Sequence, residues 1–129
     1  MLMENLTIAA TERSPAVDFD FAAGRLSLKG ESYPEDASAV FGPIFAALET
    51  FLGAAGDREV TFDFELIYFN SSSAKALMNM FQMLDQAAGA GCRLQVNWFY
   101  AADDDTMKEF GEDFSEDLDH VGFHLVAVE

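Results

Sequence analysis

Val60-Thr-Phe-Asp-Phe-Glu-Leu-Ile-Tyr-Phe-Asn-Ser-Ser-Ser-Ala-Lys75 is the stretch that decides how this chain folds. Val60, Phe62, Phe64, Leu66 and Tyr68 alternate with Thr61, Asp63 and Glu65, the period of a strand with one polar side. Beyond Lys75, the residues Leu77, Met80, Phe81, Leu84, Ala87 and Ala88 recur at helical spacing. A strand therefore runs into a helix, and Ser71, Ser72 and Ser73 fall at the helix start. The first turn of a helix has free N–H groups and the positive end of the dipole, so negative charge is favoured there. A phosphate fits such a place, as a bound ligand or as a modification of the protein itself.

The pattern extends in both directions. Leu6 to Ala10 reads as a short first strand. Val17, Phe19 and Phe21 alternate with Asp18 and Asp20, and Leu26 and Leu28 with Arg25, Ser27 and Lys29. Ala22-Ala-Gly24 between them suits a three-residue hairpin loop with Gly24 at positive φ. The segment Gly30 to Glu35 breaks the sheet pattern, with Pro34 removing a donor and holding Tyr33 extended. A first long helix is predicted over Asp36 to Leu52, ended by Gly53-Ala-Ala-Gly56. Its apolar stripe is Val40, Phe41, Ile44, Phe45, Leu48, Phe51 and Leu52, with Pro43 tolerable near its start. Gly89-Ala-Gly91 stops the second helix. Leu94, Val96, Trp98 and Tyr100 mark another strand. Asp103 to His120 reads as a third, acidic helix with Met107, Phe110, Phe114 and Leu118 inward, weakened by Gly111. Phe123 to Val128 closes the chain as a strand. The order, ββ(β)-α-β-α-β-α-β, predicts an α/β fold. It has a single mixed sheet with an N-terminal antiparallel hairpin, parallel crossovers and about three helices, in one domain over residues 1–129.

The chain has 129 residues, half of them apolar and thirteen of them Phe, against 23 acids and 7 Lys and Arg. That is enough apolar matter for a core, and a net charge of −16 repels nucleic acid and anionic membranes. Protein partners are the expectation, although acidity also serves solubility alone. The single cysteine, Cys92, excludes an intrachain disulfide and a four-cysteine zinc site. The stretch Met1 to Thr7 lacks the signature of a leader peptide, and no run of residues reads as a membrane span. The expected location is the cytoplasm.

Catalytic patterns are scarce. Neither G-x-x-x-x-G-K-[ST] nor G-x-G-x-x-G nor G-x-S-x-G occurs. His120 and His124 are four apart, a metal spacing only on a helix, whereas His124 falls in a strand; ordinary histidines are the expectation. Asp103-Asp-Asp105 does not continue as a calcium loop, because Lys108 stands where Gly is needed and Phe114 where Glu is needed. These acids read as a helix cap, or as a surface for a partner. Asp63 and Glu65 share a strand face, so a small enzyme using Asp63, Glu65 or His120 stays open. The polar side of a half-covered strand is the simpler reading. Cys92 reads as core, and Met78 and Met83 lie off the second helix's main stripe. No cofactor or metal is implied.

Two readings of the serines follow. One serine capping the helix accounts for about 1 kcal/mol and needs no ligand. Three hydroxyls after Asn70 exceed that need, and Ser71 lies four residues before Lys75, on the same helical face. A phosphate on Ser71 meets first-turn N–H groups and Lys75, and it adds up to about two negative charges to a docking surface. A tenfold change in affinity takes only about 1.4 kcal/mol.

Leu66 to Lys75 and Gly30 to Glu35 resemble the motifs of SiaC-type biofilm-regulatory phosphoproteins; Trp98 to Tyr100 and Gly111 to Phe114 do so more weakly. The resemblance runs through nearly the whole chain in the same order. It implies a fold similar to the STAS domain of anti-sigma-factor antagonists, which also carry a phosphorylated serine where a strand meets a helix. It implies a non-enzymatic protein whose hydroxyl residue after the Asn is phosphorylated by a dedicated Ser/Thr kinase and dephosphorylated by a PP2C-like phosphatase. The unmodified form of such proteins activates a diguanylate cyclase, raising cyclic di-GMP and promoting biofilm. By position the acceptor is Ser71, where the family usually has Thr. Asn70, Ser72 and Ser73 then support the turn, Lys75 meets the phosphate, and Tyr68 with Tyr33, Pro34 and Glu35 contributes to docking. An anti-sigma-factor antagonist, with an anti-sigma factor as partner, is the alternative.

Overall fold

The computed structural model describes residues 4–129, so part of the N-terminal stretch read for a leader lies outside the described residues. Among the described residues, six strands form one sheet in the order β1-β2-β3-β4-β5-β6. They are β1 (Leu6–Ile8), β2 (Ala16–Asp20), β3 (Arg25–Ser32), β4 (Glu59–Phe69), β5 (Arg93–Ala101) and β6 (Gly122–Val128). The helices are α1 (Ala37–Ala55), α2 (Ser71–Gly89) and α3 (Asp105–Glu116). β1, β2 and β3 pair antiparallel, and β3 through β6 pair parallel. The strands are thus laid down in chain order, and each parallel step crosses over through one helix. Right-handed crossovers advancing in one direction put every helix on the same face.

That face is the core. Phe19, Leu26, Leu28, Phe62, Phe64, Val96 and Trp98 are buried on it under Ile44, Leu48, Met80, Phe81 and Leu84 of the helices. Phe62 stacks on Phe64 at 4.2 Å, and Phe64 meets Phe81 at 4.8 Å. The other face carries the alternate residues and is open. Asn97 donates to Asp63 at 2.9 Å, Lys29 pairs with Glu65 at 3.3 Å, and Arg93 with Glu59 at 3.2 Å. Asp63 and Glu65 are thus the polar side of a half-covered strand.

Several boundaries differ from the sequence reading. β1 stops at Ile8, and β3 continues through Gly30 to Ser32 instead of breaking at Gly30. α1 extends past Gly53 to Ala55, with Gly56 at φ 60° as its cap, because Phe51 and Ala55 are still buried. Asp36 caps its start, and Pro43 lies in the second turn. By length and composition α1 is also apolar enough to cross a membrane, with a mean hydropathy of 1.5. This corrects the expectation that no segment approaches such a span. Its aromatic and branched side lies on the sheet here.

α3 is shorter than Asp103 to His120. Asp104 caps it by accepting from the Met107 N–H at 3.0 Å, and the helix ends at Glu116. Asp85 on α2 then fixes the following loop by accepting the backbone N–H groups of Asp119, His120 and Val121, at 3.3, 2.8 and 3.1 Å. Burial pushes the Asp85 carboxyl up, but these three N–H donors and the nearby His120 outweigh it and hold the carboxyl below its ordinary value. Gly111, a helix weakener by propensity, is required by packing. A Cβ there would lie 2.5 Å from Leu125 Cδ2 and from Trp98 Cδ1.

Two outcomes follow for stability. Gly111→Ala gains up to about 1 kcal/mol of helix propensity, but overpacking against the buried Trp98 ring costs about 1–3 kcal/mol. Urea denaturation should therefore show net destabilisation. Asp85→Ala removes a carboxylate with three backbone donors and should cost about 1 kcal/mol at neutral pH, as loss of a cap does. Because the folded-state pKa is depressed, this contribution is present above the ordinary carboxyl value of 3.8 and is lost as pH falls through the lower folded value. Melting curves of the two proteins should converge in strong acid.

Candidate functional site

The strand-to-helix junction is built by a register slip. Gly30 pairs with Leu66, but Glu31 pairs with Tyr68, so Ile67 is an extra residue in β4. Such a bulge reverses the alternation of the strand beyond it. Strict alternation predicts Tyr68 inward with Val60 to Leu66. Instead Phe69 is buried, and Ile67 and Tyr68 are 67% and 52% exposed. Tyr68 packs edge-on against Tyr33 at 5.8 Å. Gly30 meets the slip with φ 122°, a conformation that favours glycine.

The next residues settle which side chain caps α2. It is Asn70, whose Oδ1 accepts from the Ser73 N–H at 3.0 Å, and no serine takes that role. The Asn70 N–H in turn donates to the Ser32 carbonyl at 3.0 Å, locking the end of β3 to the junction. Ser73 is fully buried and its hydroxyl is bonded to that of Ser32 at 2.7 Å. Ser72 is exposed, and its Oγ donates to Asn70 Oδ1 at 3.0 Å. Ser71 is exposed and makes no side-chain hydrogen bond to the described residues. The three hydroxyls thus have three different roles. One is locked in the core, one braces the cap, and one is free.

Ser71 opens into a shallow cleft with Lys75, Tyr68, Met78 and Phe110. The Ser73 and Ala74 N–H groups are taken by Asn70, leaving those of Ser71 and Ser72 for an anion. Lys75 makes no ion pair among the described residues, so its charge is available beside Ser71. Phe110, expected inward on α3, lies on the rim of this cleft, 38% exposed and 4.8 Å from Phe69.

Tyr33 is half-buried, Pro34 is buried and Glu35 is exposed, where it pairs with Arg13. The loop thus presents Tyr33 and Glu35 to solvent while Pro34 supports it from beneath. Sequence reasoning missed Ser32 and Phe110 as parts of the site. Ser32 has no local signal at all, because its partner lies 41 residues away. The exposure of Phe110 follows from the rotation of a helix whose inner line is Met107, Gly111 and Phe114.

The other candidates are not assembled. His120 lies at the opposite end of the strands, near Glu59, Cys92 and Arg93, in a cleft that Asp63 and Glu65 do not line. His124 is bonded to Gln95 at 2.6 Å. Among the described residues no three His, Cys, Asp or Glu side chains come together to hold a metal. Cys92 is buried with its sulfur 3.5 Å from the Arg58 carbonyl, and burial raises its thiol pKa against the pull of Arg58.

The model of the SiaC family of regulatory phosphoproteins matches residues 8–128. The chain belongs to this family. Apo-SiaC from Pseudomonas aeruginosa has the same fold, with a TM-score of 0.88 at 37% identity, over 97% of this chain and all of that one. A second match is to the crystal structure of the diguanylate cyclase SiaD in complex with its activator SiaC, from the same organism. It has a TM-score of 0.89 at 36% identity, over 95% of this chain and 99% of that one. An uncharacterized protein of Pseudomonas aeruginosa (strain UCBPP-PA14) is 38% identical over 115 residues, 89% of this chain and 90% of that protein.

The division of labour among the serines predicts separable effects. Asn70→Ala should cost about 1 kcal/mol by removing the cap. Ser73→Ala should cost about 1–3 kcal/mol by leaving the buried Ser32 hydroxyl unpaired. Ser71→Ala should leave the thermal midpoint unchanged, read by differential scanning calorimetry.

Proposed function

We propose that this protein acts by binding, as the activator of a diguanylate cyclase, and that phosphorylation of Ser71 releases the cyclase. A dedicated Ser/Thr kinase adds the phosphate and a PP2C-like phosphatase removes it, in the cytoplasm. The observation that carries the choice of Ser71 is the Asn70 cap. Because an amide holds the helix start, Ser71 can change chemically without unfolding it. Membership of the SiaC family and the cyclase complex of the Pseudomonas aeruginosa protein support the partner.

The physical basis of release is local. A phosphate on Ser71 bonds to the free N–H groups of the first turn and to Lys75, and so is held on the surface instead of waving in solvent. It adds about 1.5–2 negative charges beside Tyr68, Met78 and Phe110. A partner burying those side chains would then have to desolvate a phosphate, and Lys75 would no longer be free to pair with it. Tyr33, Tyr68 and Glu35 extend the same surface, and Ser72 and Ser73 keep the turn in shape.

Intact-mass spectrometry after incubation with the cognate kinase and ATP should show one phosphate on the wild type and none on Ser71→Ala. Persistent phosphorylation of Ser71→Ala would overturn the assignment. Purified cyclase should be stimulated by the wild type and by Ser71→Ala. Ser71→Asp should bind it at least about tenfold more weakly, the change produced by about 1.4 kcal/mol.

A further inference from the structure

β6 is an edge strand with nothing paired to its outer side among the described residues. Exposed edges are usually guarded by lysines, prolines, bulges or extreme shortness. β1, the opposite edge, is only three residues long. β6 has seven residues, Gly-Phe-His-Leu-Val-Ala-Val, with no proline, no lysine and an unbroken register against β5. From His120 to Val128 the chain carries no Asp, Glu, Lys or Arg. In a protein of net charge −16, the strand itself therefore presents no carboxylate to a second copy.

We propose that β6 pairs antiparallel with β6 of a second copy across a two-fold axis near Leu125, joining two six-stranded sheets into one. In that register Phe123 lies opposite Ala127 of the second copy, His124 opposite Val126, and Leu125 opposite its own equivalent. Each pair is free of like charges, and a large side chain meets a small one at Phe123. Leu125, 38% exposed in the single chain, becomes covered.

α3 meets its own equivalent across the same axis, where Lys108 offsets part of the negative charge of Asp105, Glu109, Glu112, Asp113 and Glu116. It lies over both β5 and β6, and Gly111 sits directly on Leu125. An axis through Leu125 therefore passes beside the middle of α3, and the two α3 helices run antiparallel about it. With strands about 4.8 Å apart and α3 set about half a spacing inside β6, the helix axes fall about 10 Å apart, a normal packing distance. Phe110, Asp113 and Asp117 face the cleft towards α2, which turns the exposed Lys108 and Glu112 to the β6 side. Residues 108 and 112 lie one turn apart, on either side of the middle of the helix. Lys108 of each copy thus meets Glu112 of the other, as an isologous interface requires. Ser71 lies at the far end of β4, so the dimer carries its two Ser71 clefts at opposite ends of the joined sheet.

Sedimentation equilibrium of the full chain from micromolar to millimolar concentration tests this. The wild type should show a monomer–dimer equilibrium, and the exchange of β6 amide hydrogens should slow as concentration rises. Lys108→Glu, on an exposed site, should raise the dissociation constant about tenfold, since it turns two attractions into two repulsions. Combining it with Glu112→Lys should restore the wild-type value. Leu125→Lys should leave only monomer, with folding checked by circular dichroism. A wild type that stays monomeric throughout would overturn the proposal. So would a dimer indifferent to Leu125→Lys and Lys108→Glu, or a double swap no tighter than Lys108→Glu alone.

Discussion

The handedness of the strand crossovers is the constraint on which the rest of this protein depends. Three parallel steps, each to the next strand on the same side, leave all three helices on one face. The core then has a single layer of contact, dense in aromatic rings from Phe19 to Trp98. The opposite face stays wet, with Lys29–Glu65, Arg93–Glu59 and Asn97–Asp63 distributed along it. The carboxylates of β4 are therefore solvated spacers. The C-terminal end of β4, flanked by β3 and opening into α2, is where side chains from several elements converge.

That convergence depends on one extra residue. Without the bulge at Ile67, Tyr68 would enter the core and Phe69 would face outward beside Ser71. The slip exchanges them, so a buried Phe69 supports the junction from below while Tyr68 and Tyr33 form an aromatic ledge above it. Asn70 then ends the strand and starts the helix with the same side chain, and its backbone ties β3 to both. The result is a helix start held by hydrogen bonds, with the Ser71 hydroxyl left exposed.

The element order and the class of fold are legible in the sequence. Binary pattern is a local property, and β4, α2 and β5 each declare their period within a dozen residues. The location of the candidate site is legible for the same reason, since a strand pattern, an amide and three hydroxyls are consecutive. Less of the site's internal logic is legible. Gly111 looks like a flaw in a helix until Trp98 and Leu125 are placed against it. His120 looks like the end of α3 until Asp85, 35 residues away, is seen to hold its N–H. α1 looks like a helix that should stop at Gly53 until the buried Phe51 and Ala55 show that packing carries it further.

The sequence alone determined the alternation of strands and helices, the surplus of negative charge and the presence of hydroxyls at a helix start, because these depend on residue identity and short-range spacing. The tertiary structure decided which hydroxyl is free. Ser71, Ser72 and Ser73 are chemically identical and adjacent, so no local rule separates them. Their difference arises from the packing of α2 on β3, which buries Ser73 against Ser32, and from the turn of Asn70, which engages Ser72 and leaves Ser71 in solvent beside Lys75.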